Sequence, residues 1–129
     1  GKKGTGAGYY LHIEPGKSFA AGGMWMPEPK ELAAIRQEID YSFDNWKKII
    51  GNATFKKTFI EGIKGETLVR PPKGYDDTNP AIAYLKMKNF VVTRSFTDTE
   101  IQSKTFVKDV ANTFKAMKPM IDFLNSAID

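Results

Sequence analysis

The sequence predicts an α+β fold: an antiparallel β-hairpin or small sheet packed against several helices, with a long C-terminal helix kinked near Pro119. Three observations carry the prediction. Residues 9–14 and 17–26 are two β-type stretches, rich in aromatic and apolar side chains and divided by Pro15-Gly16. Apolar residues then recur three and four apart through residues 29–59. The same spacing runs from Thr105 to Ile128 through Phe106, Val107, Val110, Phe114, Met117, Ile121, Leu124 and Ile128, the clearest amphipathic helix in the chain.

Residues 1–8, GKKGTGAG, read as a flexible glycine-rich lead-in. Residues 9–129 read as a single α+β domain, as a chain of 129 residues supports. In the hairpin, Pro15 presets φ at the first central position of a turn and Gly16 can take a positive φ at the second. Alternation along a strand places Tyr9, Leu11 and Ile13 on one face, expected to face the core, and Tyr10, His12 and Glu14 on the other. Gly22-Gly23 read as a close approach of another backbone or a ligand, or as a bulge.

Pro27 and Pro29 end the second strand, and Pro29 followed by KELAAIRQEI opens a helix with Glu28 and Glu31 near its positive end. Leu32, Ile35 and Ile39 form its buried stripe. Tyr41 and Ser42 mark a break. Phe43, Trp46, Ile49 and Ile50 continue as a second short helix stopped by Gly51, and Asn52 caps a further turn through Phe55 and Phe59. Residues 61–78, with Gly62, Gly65, Pro71, Pro72 and Gly74, read as a long connection holding a short strand at residues 67–70. Asn79-Pro80 starts a short helix, residues 89–96 form a further strand, and Asp98 and Ser103 are cap candidates. Pro119 removes one backbone donor and crowds the preceding turn, so a kink or a junction of two helices is expected there.

Composition narrows the chemistry. Zero cysteines exclude disulfides, thiolate nucleophiles and iron–sulfur ligation, and fit a reducing compartment. One histidine, His12, is too few for the usual zinc site, and no carboxylate cluster has metal-ligand spacing: Asp76-Asp77 reads as a pair of solvated loop acids. Neither a metal site nor a cofactor is read. The net charge of +4 comes from mixed signs throughout, with ten positive and seven negative residues up to residue 64, then nine and eight. That distribution argues against a dedicated nucleic-acid groove. No run approaches the ~20 apolar residues of a membrane helix, and no secretory signal precedes the hairpin, so a soluble, cytoplasmic protein is expected.

Two glycine motifs fail on spacing. Gly16-Lys17-Ser18 ends like a phosphate-binding loop, but Leu11 stands where the first glycine should be, and a strand-like run follows in place of a helix. Gly4, Gly6 and Gly8 precede a strand where a dinucleotide site needs them to follow one. Phe55, Phe59 and Phe90, interleaved with lysines, read as buried rings beneath solvated charges. His12 reads either as a structural or surface strand histidine or as a candidate general base, since Glu14, two residues on and on the same strand face, can orient its ring. Trp25 either packs in the core or lines an aromatic wall.

Residues 6–40, GAGYYLHIEPGKSFAAGGMWMPEPKELAAIRQEID, together with residues 65–92 and the closing MIDFLNSAI, resemble an uncharacterised family of bacteria and fungi, the domain-of-unknown-function 2461 family. The resemblance implies a cytoplasmic α+β protein with no agreed activity, and implies that this chain is the C-terminal part of a longer protein whose upstream segment is rich in Arg and Lys. Tyr10, His12, Trp25 and Arg36 match conspicuous family positions. The resulting expectation is a domain that binds an anionic, phosphate-containing small molecule at the hairpin through Tyr10, Trp25 and Arg36 with His12. The alternatives are a metal-assisted enzyme acting on a phosphate-containing substrate, with His12 as base and Glu14 orienting it, and a protein-interaction module using the C-terminal helix.

Overall fold

The computed structural model describes residues 6–129. Among them, three strands, β1 (Gly8–His12), β2 (Ser18–Met24) and β3 (Phe90–Phe96), form one antiparallel sheet in the order β1-β2-β3. Six helices accompany it: α1 (Pro29–Tyr41), α2 (Phe43–Gly51), α3 (Ala53–Thr58), α4 (Ile82–Leu85), α5 (Asp98–Ile101) and α6 (Phe106–Ile128). The fold is α+β, as the sequence predicts.

Local chemistry fixes the hairpin. Lys17 N–H donates to the Glu14 carbonyl at 2.8 Å, closing a turn with Pro15 first and Gly16, at φ 76°, second. Ser18 Oγ accepts from the Glu14 N–H and donates to the Glu14 carbonyl, at 2.8 and 2.9 Å. The register pairs Tyr10 with Ala21 and His12 with Phe19, and across β2 pairs Ala21 with Thr93 and Gly23 with Val91. Paired residues share a face. One face therefore carries Ala20, Gly22, Met24, Phe90, Val92 and Phe96, all buried. The other carries Tyr10, His12, Phe19, Ala21, Val91 and Thr93.

The buried face rests on α6. A Cβ on Gly22 would stand 2.1 Å from Met117 Sδ, so the missing side chain is what lets the helix approach. Gly23, at φ 134°, brings β2 against β3 so closely that a Cβ would lie 1.9 Å from the Phe90 carbonyl oxygen. The glycine pair thus serves close backbone approach, one of the readings its sequence allowed. Ile35 and Ile39 of α1, Leu85 of α4 and Met117, Met120 and Leu124 of α6 meet in one hydrophobic cluster. At its centre the fully buried Trp46 ring packs on Tyr84, Phe90 and Phe123, at centroid distances of 5.8, 6.2 and 4.9 Å. Phe55, Phe59 and Phe90 are buried too.

Several elements differ from the sequence reading. The second strand stops at Met24, leaving Trp25 and Met26 exposed. Residues 67–70 form no strand: Thr67 makes one isolated bridge to Met87 and Lys64 another to Val91. A connection pinned at single points has no ladder to extend. The helix after Pro80 is one turn, because Asn79 Oδ1 takes the Ala81 N–H in a turn of its own. Thr97, not Asp98, caps α5, with Glu100 reaching back to the Thr97 N–H, and Ser103 Oγ instead accepts from the Thr105 N–H just before α6. Val107 is 81% exposed, while the neighbouring Phe106 takes the inward position and packs edge-on against Phe96 at 5.3 Å.

α6 runs through Pro119 as one helix, not two. Pro119 and Lys115, whose carbonyl loses its usual donor, are both exposed, so the gap faces water. Ile13, past the end of β1, is 58% exposed and is not a core residue; Leu11 is half-buried and Tyr9 packs edge-on against Phe114 at 5.1 Å. Of the expected lead-in, residues 1–5 lie outside the described residues. Ala7 is held by Asn125 of α6 through two hydrogen bonds of 2.8 and 3.2 Å, and Gly8 already belongs to β1.

Candidate functional site

The open face of the sheet holds an aromatic groove of about 390 Å³, lined by Tyr9, Tyr10, Phe19, Ala21, Trp25, Val91 and Thr93. Three features of the sequence make it. Small Ala21 at the middle of β2 leaves a floor. Tyr10 on β1 and Thr93 on β3 stand beside it at paired positions. Trp25, released where β2 ends, supplies a wall while staying 41% exposed. The core-packing alternative for Trp25 is therefore overturned. Burial raises the Tyr9 phenol pKa, with Asp122 adding to the shift.

A polar chain adjoins the groove. Tyr10 Oη lies 3.2 Å from His12 Nδ1, and His12 Nε2 lies 2.8 Å from Glu14 Oε1. Phe19 stacks on the imidazole at 5.2 Å and 28°, and the Tyr10 ring is inclined 27° to it at 6.1 Å. Alternation puts the three polar groups two residues apart on one face, which is why the sequence could pair His12 with Glu14. The turn then holds Glu14 through Ser18 and Lys17, while Gly16 N–H donates to Asp98 Oδ1 at 2.8 Å.

Arg36 is placed elsewhere. It projects from α1, and its Nη2 donates to the Met87 carbonyl at 3.1 Å. Burial lowers its pKa, and Tyr75 is its charge-sensing neighbour. Its Nε is buried with no hydrogen-bond partner among the described residues. The Tyr75 phenol is raised in turn, by burial and then by Asp40, whose carboxylate also accepts from Asn79 Nδ2 at 2.8 Å. The structure brings Tyr10, His12, Glu14 and Trp25 together at the hairpin and leaves Arg36 with α4 and the long connection.

Phe19, Ala21, Val91 and Thr93 are groove residues that sequence reasoning missed. Their signal was the alternation of β2 and β3, readable only once the register between them is known. Among the described residues no three His, Asp or Glu side chains come together as a metal site. No described helix is long and apolar enough to cross a membrane. A family model described as conserved hypothetical protein (DUF2461) matches residues 1–123. Comparison with curated proteins and with solved structures finds no match.

Proposed function

The chain belongs to the DUF2461 family, and we propose that the open face of its sheet is a binding surface for a small molecule carrying a planar ring. The supporting observation is the convergence of Tyr10, Phe19 and Trp25, from both strands of the hairpin and the segment after it, on one groove with an alanine floor. Aromatic rings exposed around a concavity offer faces on which another ring stacks, each such contact being worth about 0.5–1.5 kcal/mol beyond the area it buries. The polar end of the ligand meets Tyr10 and, through it, His12 and Glu14.

An anionic ligand, the expectation from sequence, finds less support. Arg36 donates to a backbone carbonyl away from the groove, and His12 already faces a carboxylate. The geometry favours ring recognition over phosphate recognition.

Trp25 makes the test direct, because it is exposed while the chain's other tryptophan, Trp46, is fully buried. Titration with adenosine, excited where adenosine does not absorb, is expected to quench Trp25 emission, and inorganic phosphate alone is expected to leave it unchanged. Tyr10→Ala and Phe19→Ala should each weaken the adenosine effect. An adenosine response equal in both variants, or a response to phosphate alone, would remove the stacking reading.

A further inference from the structure

We infer that Glu14, His12 and Tyr10 act as a hydrogen-bond relay that makes Tyr10 Oη an acceptor in the groove, so that the ring bound there carries an N–H or O–H donor at its edge. The inference rests on the groove being a ring-binding surface and names which rings it takes. An ionised carboxylate only accepts, so the 2.8 Å contact between Glu14 Oε1 and His12 Nε2 requires the hydrogen on Nε2. In a neutral imidazole Nδ1 is then a bare acceptor. The one hydrogen able to close the 3.2 Å contact between Nδ1 and Tyr10 is the phenol's own. Once that hydrogen is committed, Tyr10 meets a ligand with lone pairs alone.

The surroundings keep the relay in this state. Phe19 stacks on the imidazole and opposes rotation of the ring. The main chain of Glu14 is tied to Ser18 Oγ on one side and to Lys17 N–H on the other. Tyr10 is the member of the relay that also lines the groove, beside Ala21 and Thr93. A ring presenting only acceptors, or an anion, would place lone pair against lone pair.

The test uses the whole chain, isotope-labelled, at a pH where imidazole is neutral. His12 is the one histidine, so its tautomer can be read from long-range proton–nitrogen correlations without assignment ambiguity. The Nε2–H form is expected; a predominant Nδ1–H form would overturn the relay. Benzimidazole and 1-methylbenzimidazole, which differ in one ring N–H, are then titrated while the Trp25 indole signal is followed. The methylated probe should bind about three- to tenfold more weakly, the usual worth of one hydrogen bond, and Tyr10→Phe should erase the difference. Equal binding of both probes to the unmutated chain would overturn the relay and leave the groove standing. Binding of neither would remove the ring-binding surface, and the inference with it.

Discussion

The amide of Gly16 donates to Asp98 Oδ1 at 2.8 Å, joining the tip of the hairpin to the first turn of α5 across 82 residues of sequence. That bond holds the turn on which Glu14 sits, and Glu14 holds His12. Asp98→Ala is expected to lower stability by only about 0.5–1 kcal/mol, since the contact is exposed. The sharper readout is hydrogen exchange at the Gly16 amide, which should accelerate in Asp98→Ala and stay slow in Asp98→Asn, where an acceptor oxygen remains. Unchanged exchange in the alanine variant would show that the bond does not restrain the turn.

Gly23 should tolerate no side chain. Its φ of 134° is strained for any L-residue, and a Cβ would strike the Phe90 carbonyl oxygen, a backbone atom that cannot swing aside. Gly23→Ala is expected to cost about 3 kcal/mol or more, strain and overpacking acting together. Gly22→Ala should cost less, because its nearest obstacle is the flexible tip of Met117. Equilibrium denaturation of both variants checks the order, and a Gly22→Ala protein less stable than Gly23→Ala would contradict it.

Much of this fold is legible in the sequence because its signals are local. Pro15-Gly16 specifies its own turn, Asn52 caps its own helix by accepting the Phe55 N–H, and α6 announces itself by spacing alone. What cannot be read locally is which face of a strand is covered. β1 alternates Tyr9 and Leu11 against Tyr10 and His12, yet the fate of each depends on where α6 crosses β2, a contact made possible by Gly22 about a hundred residues before Met117. Trp25 and Arg36 divide on the same ground. Both are conspicuous in sequence, but only the end of β2 puts Trp25 at the groove, and only the packing of α1 near Met87 takes Arg36 away from it.

Arg36 is accordingly expected to be structural. Arg36→Met removes the donor to the Met87 carbonyl and should lower stability by about 1–2 kcal/mol, with adenosine and benzimidazole titrations at the groove unchanged. Thermal unfolding and the Trp25 titration separate the two effects. Loss of ring binding in a folded Arg36→Met protein would return Arg36 to the site.

Acid should weaken the junction of β3 and α5. The Glu100 carboxyl is held below its ordinary value of 4.5, first by the Thr97 backbone N–H and also by Arg94, whose Nη2 lies 3.1 Å away. A depressed carboxyl contributes stability that is fully present above its unfolded value and is lost as pH falls through the folded one. Melting temperature followed from about pH 6 down to about pH 3 should therefore fall less steeply for Glu100→Gln than for the unmutated chain. An identical acid limb in the two proteins would mean that the carboxylate does not contribute.

The central claim is that the open face of the sheet binds a planar ring, and an amide-resolved NMR titration of the intact chain with benzimidazole tests it most directly. The expected shifts centre on the Trp25 indole N–H and the amides of Tyr10, Ala21 and Thr93, with the buried Trp46 indole unmoved. Shifts centred instead on the cavity of about 460 Å³ beside Glu38, Asp40 and Tyr41, or no shifts at millimolar probe, would contradict it.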